Sequence, residues 1–149
     1  MSLKQESKLV IGTQMTTATS NTTVAVNFDC LGFSRAQVEL IVSAPNVTHA
    51  PATLKLGQGT TTDASNFTDI SAFAAGTGFT AVTASTSTAA IYKFDVDTRG
   101  LERYLRLTYT PNAAQSSTAV TTTAIAHLFR ANLGASGATA QGVTQVVSG

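Results

Sequence analysis

The chain of 149 residues carries 43% hydrophobic and only 11% charged residues, with a net charge of +1. That length suits one domain with its own core, with no need of metals or disulfides. The near-neutral charge gives no long-range field to select an acidic or basic partner, and a nucleic-acid role would need a basic arm or stripe that the sequence lacks.

No run approaches the roughly 18–20 apolar residues needed to cross a membrane. No secretory signal follows the polar start from Met1 to Lys8, so synthesis in a cytoplasm is expected. Cys30 is the single cysteine, which excludes an intrachain disulfide and points to a small buried hydrophobe. A surface poor in Lys and Glu, with Thr, Ser and Ala in their place, suits a protein packed against neighbours.

Residues 1–20 read as an arm or a first edge strand, with Leu9-Val10-Ile11 the apolar cluster there. Short runs of period-2 alternation follow, separated by turn residues, as in a sandwich or barrel. Val24, Val26 and Phe28 form the first inward set, then Val38, Leu40 and Val42 before Pro45. Leu54 and Leu56 flank Lys55, and Gly57-Gln58-Gly59 is expected to close that strand. Asp69 to Ala75 reads as a single helical turn or a loop, and residues 76–90 as a long loop holding one strand. Tyr92, Phe94 and Val96 point one way, with Lys93, Asp95 and Asp97 opposite. Leu105, Leu107 and Tyr109 make another inward face, ending at Pro111-Asn112, and a last long run spans Thr118 to Arg130. No sustained helical period competes with this alternation, and the Thr and Val content favours strand. The expected fold is all-β: an antiparallel sandwich or jelly-roll-like domain over 21–133, between arms at 1–20 and 134–149. The Gly/Ala/Ser-rich tail is disordered, or an extended arm that adds to a neighbouring subunit through Val143, Val146 and Val147.

The residues that carry chemistry are few and scattered. His49 lies between Pro45 and Pro51, and His127 lies in the final strand beside Ile125 and Phe129. One Cys and two distant His give no zinc-ligand spacing, so no metal or cofactor is expected. Neither a G-x-S-x-G elbow nor a phosphate-cradling glycine motif is present. Asp95 and Asp97 share a strand face, yet calcium needs about six to eight oxygens, and a solvent-facing strand end is the preferred reading. Arg99, Arg103 and Arg106 form the densest basic stretch: it suits contact with phosphate or a carboxylate on a partner, and an ion-paired hairpin around Glu102 is the preferred reading. N-x-T sequons at Asn21, Asn46 and Asn66 matter only in a glycosylating secretory route.

One ordered series carries a resemblance. It runs from Ala36-Gln37-Val38-Glu39-Leu40-Ile41-Val42 through Ala52-Thr53-Leu54-Lys55-Leu56-Gly57-Gln58-Gly59 to Ser65-Asn66-Phe67-Thr68-Asp69-Ile70. It continues with Ile91-Tyr92-Lys93-Phe94-Asp95-Val96-Asp97 and Arg99-Gly100-Leu101-Glu102-Arg103-Tyr104-Leu105-Arg106-Leu107. This order over residues 36–130, sharpest at 91–109, resembles the small capsid decoration (cement) proteins of tailed bacteriophages. Two departures stand out: the usual acidic loop after the second strand is Gly57 to Asp63 here, and the tail after Arg130 is longer. The resemblance implies a sandwich or jelly roll and a non-enzymatic virion protein on the capsid surface. Its implied partners are the major capsid protein and its own copies, as a homotrimer at local threefold positions. The expected contact residues are Pro45, His49, Pro51, Arg99, Arg103, Val143, Val146 and Val147. The alternative is a β-sandwich tail, head–tail joining or host/glycan-adhesion protein. An adhesion module would display exposed aromatics, and this chain has no Trp and three Tyr.

Overall fold

The computed structural model describes residues 7–18, 22–43, 50–81, 89–112, 120–130 and 145–148. Its strands are β1 (Ser7–Ala18), β2 (Val24–Asp29), β3 (Arg35–Val42), β4 (Thr53–Gly59), β5 (Thr68–Ala74), β6 (Ala90–Asp97), β7 (Tyr104–Thr110), β8 (Val120–Phe129) and β9 (Gln145–Ser148). They form two sheets, in the order β1-β8-β3-β6-β9 and β2-β7-β4-β5. From β1 to β8 the chain passes from one sheet to the other at every connection but one, the β4–β5 link. An eight-stranded double sheet in this order is a jelly roll. The ninth strand lies parallel on the free edge of β6, with Tyr92 opposite Gln145 and Asp95 opposite Ser148.

Alternation of side chains drives the assembly. Every second residue of β3, β7 and β8 is buried, so each strand lays one apolar face on the opposite sheet. Phe28, Leu40, Leu54, Leu56, Phe94, Leu105, Leu107 and Leu128 are fully buried between the sheets. Phe94 sits edge-on to Phe73 and Phe79, with centroids 6.2 and 5.9 Å away. Cys30 joins this core as a small apolar side chain.

The β1 edge closes one side of the sandwich. Register shifts between Ile11 and Thr13, and again between Thr13 and Thr16, bend the strand out of line with β8. At that bend a Cβ on Gly12 would stand 2.1 Å from Val26 Cγ1, so the backbone passes β2 at a distance no other residue permits.

Two sequence expectations are corrected. Asp69 to Ala74 is strand, not helical turn or loop: β5 pairs with β4 at Gly57–Asp69 and Gln58–Thr68. Before Phe73 and Ala74 only Ile70 is even half-buried, which erased the alternation that would have marked it. Gly57-Gln58-Gly59 closes β4 as expected, its last three residues, paired with Arg106, Leu105 and Tyr104. Finally, the segment around Arg99–Arg103 is not a hairpin, because β6 and β7 belong to different sheets. Thr98 N–H donates to the Ser34 carbonyl and Cys30 N–H to that of Arg103, so this segment turns a corner beside the β2–β3 link. The 76–90 stretch contains a turn closed by an Ala75–Phe79 bridge, and β6 begins at Ala90.

Candidate functional site

The antiparallel registers fix two ends of the jelly roll. One end gathers the β2–β3, β4–β5 and β6–β7 connections. The other gathers the last residues of β1, β3, β5 and β7. Arg99 and Arg103 lie at the first end, whereas Pro51, just before β4, lies at the second. The six-step rise of β4 puts about 20 Å between them, so the sequence-selected residues do not form one site. Val146 and Val147 lie in β9, on the β6 edge of the larger sheet. Pro45, His49 and Val143 lie outside the described residues.

The corner end is tightly tied. Asp29 accepts two hydrogen bonds from the Arg103 guanidinium, at 2.9 and 2.6 Å. Arg103 in turn lies 4.8 Å over the Tyr104 ring. Asp97 pairs with Arg99 through side chain and backbone, with the Arg99 N–H donating at 3.0 Å. These bonds hold the Asp97 carboxyl down at about 2, and the Arg103 hydrogen bond likewise lowers Asp29. Thr98 Oγ1 donates to the Phe33 carbonyl at 2.7 Å, Ser34 Oγ to that of Arg130 at 2.7 Å, and the Arg130 guanidinium lies over Phe33. The corner arginines are thus committed to partners inside the chain.

The outer face of the larger sheet mixes two textures. Toward β6, Arg35 makes a two-pronged pair with Asp95, which is 3% exposed, and Lys93 pairs with Glu39 at 3.2 Å. The solvent-facing expectation for Asp95 is therefore wrong: Arg35 reaches it diagonally across the β3–β6 ladder, while Asp97 stays exposed. Toward β1 the face is apolar. Leu9 and Ile11, 57% and 53% exposed, lie in register with His127 and Ile125, and the His127 ring stacks on Phe129.

The outer face of the smaller sheet holds a cleft of about 170 Å³. Asn27, Arg106, Gly57 and Asp69 stand in one row across β2, β7, β4 and β5. Gly57 contributes no side chain, and a Cβ there would meet the Thr68 carbonyl oxygen at 3.0 Å. The gap it leaves is flanked by Lys55, which pairs with Asp69 at 2.7 Å, and by Phe67, whose ring lies 5.3 Å beneath the Arg106 guanidinium. Sequence reasoning named Arg106 only as part of a basic stretch. The legible signal was the pair Gly57 and Gly59 inside a strand, which marks close backbone approach.

The Cys30 thiol is pushed up to about 12 by burial, which keeps it protonated and unreactive. Among the described residues no three His, Cys, Asp or Glu side chains converge as a metal site would require. Among the described residues no helix is long and apolar enough to cross a membrane. What the folded chain offers is a rigid β framework with polar and apolar surfaces, the architecture of a jelly-roll domain. No protein-family model, curated protein or solved structure matches it.

Proposed function

We propose that this chain is a non-enzymatic structural protein of a virion: a capsid decoration protein that binds the outside of a tailed-phage head and stabilises it. The observation that carries the reading is the strand order, because viral capsid domains, lectins and cupins are the common users of a jelly roll. Fold alone does not choose among these, so the site must. A metal-dependent cupin needs converging ligands, and the described residues offer no such group. A lectin needs a bare aromatic platform. Here arginines cover Phe33, Phe67 and Tyr104, while Tyr92 and Tyr109 are in the core.

A decoration protein needs neither feature. It adds interface across the seams of an assembled shell, and so binds the assembled state selectively. The low charge and small side chains of this surface pack closely at little cost in side-chain entropy. Leu9 and Ile11 add an exposed apolar strip beside a free strand edge. The partners are the major capsid protein and, in a homotrimer, further copies of the chain, where repetition turns modest contacts into avid binding.

Co-sedimentation of the purified protein with the heads of its virus tests the proposal, together with melting of the bare and decorated shells. Saturable binding and a higher shell melting temperature are expected, with stabilisation of about 2.7 kcal/mol per site at a hundredfold excess over Kd. Recovery of the protein with tails or with the head–tail joint, and none on shells, would replace this reading by the other virion roles.

A further inference from the structure

We infer that the cleft around Arg106 on the smaller sheet is a binding site for a single carboxylate, supplied by an acidic side chain of a partner protein. The inference deepens the virion reading by naming the chemistry of the partner. It is tested on the isolated protein, so the two stand or fall separately.

The argument begins with the charges. Five cation–carboxylate pairs occupy Arg35, Lys55, Lys93, Arg99 and Arg103. Arg106 is different: no carboxylate among the described residues reaches it, although it stands in the middle of a strand and is half-buried. Its nearest polar partner is the Asn27 side-chain oxygen at 3.5 Å, a long contact to a neutral acceptor. The guanidinium is nevertheless held in place, stacked on Phe67 at 5.3 Å. A fixed, planar donor fork with little to donate to is a pre-organised receptor for a carboxylate.

The surroundings narrow the ligand further. Lys55, Arg106 and Asp69 give the cleft a net charge of +1, which one monoanion neutralises. A phosphate dianion would overshoot and meet Asp69. A sugar would want the face of Phe67, and Arg106 already covers it. The cleft exists because Gly57 has no side chain, and Thr108 borders the open volume. At about 170 Å³ it admits the end of a Glu or Asp side chain rather than a long segment.

The test is an NMR titration of the full chain with the peptide acetyl-Gly-Glu-Gly-amide, against its Gln counterpart, inorganic phosphate and glucuronate, at matched ionic strength. The expected result is a saturable shift of the Arg106 Nε–H and Gly57 N–H signals by the Glu peptide, with a dissociation constant on the order of millimolar. Binding of the Gln peptide should be at least about tenfold weaker, since it lacks the charge that strengthens the hydrogen bond. Arg106→Gln should abolish the response with the remaining spectrum intact, and Arg106→Lys should weaken it by losing the fork. Equal response to the Glu and Gln peptides, or no saturable shift, would overturn the inference. Tighter binding of phosphate or glucuronate than of the Glu peptide would overturn it as well, assigning the cleft to another ligand.

Discussion

Breaking the Arg35–Asp95 pair should destabilise this protein far more than breaking any of its exposed pairs. Asp95 is 3% exposed and the Arg35 side chain 14%, so neither charge regains full hydration when its partner is removed. Removing one member of such a pair costs about 3–5 kcal/mol, because the survivor is left buried and uncompensated. The partial exposure of Arg35 puts this case at the lower end, near 3 kcal/mol for Arg35→Gln or Asp95→Asn. Replacing both residues, as Arg35→Met with Asp95→Leu, removes both desolvation costs together, and the double variant should lie within about 1 kcal/mol of the parent. The coupling energy in a double-mutant cycle is then several kcal/mol. The contrast is Lys55–Asp69, well formed at 2.7 Å but with side chains 34% and 51% exposed, where coupling should stay below about 1 kcal/mol. Urea unfolding of both sets reads these values directly. With m of about 2 kcal/mol/M, each Arg35 or Asp95 single variant moves the midpoint by about 1.5 M. Equal coupling in the two cycles would refute the premise that burial, rather than distance, sets the strength of these pairs.

Other outcomes follow from the same coordinates. Phe94→Ala, which empties a fully buried site against Phe73 and Phe79, should cost about 3–5 kcal/mol in urea unfolding. Gly12→Val should cost about 1–3 kcal/mol or more by forcing β1 away from Val26 and Phe28, and hydrogen exchange should rise first in β1. The Asp97 carboxyl is held at about 2 in the folded state, below its unfolded value near 4, so between those limits the unfolded chain binds more protons. The stability this supplies is full above about pH 4 and is lost as pH falls through 2. The stability curves of parent and Asp97→Asn should therefore be offset above about pH 4 and converge as pH falls through that window. Cys30 should react with a thiol reagent only as fast as the protein unfolds, and a fast reaction in native buffer would contradict its place in the core.

Strands with one buried face were legible from the sequence because burial imposes a period on side-chain type. Val38-Leu40-Val42, Tyr92-Phe94-Val96 and Leu105-Leu107-Tyr109 all face the core as that period requires. Strand β5 was not legible, since Thr68 to Ala72 lie largely in solvent and only backbone pairing with β4 makes them strand. Nor does local sequence distinguish a hairpin from a corner: Asp97-Thr98-Arg99-Gly100 is turn-forming in both, and the choice rests on Ser34, more than sixty residues away. The cleft depended on tertiary register in the same way. Arg106, Gly57 and Asp69 are unremarkable apart, and become neighbours only when β7, β4 and β5 align.

The placement of β1 and β9 has a practical consequence. They are the two outer strands of the same sheet, and the antiparallel and parallel pairings set Ser7 and Ser148 at the same end of it, the end of the corner loops. Four strand spacings separate them, about 19 Å. Payloads joined at Ser7 and at Ser148 would start side by side from that end of the jelly roll.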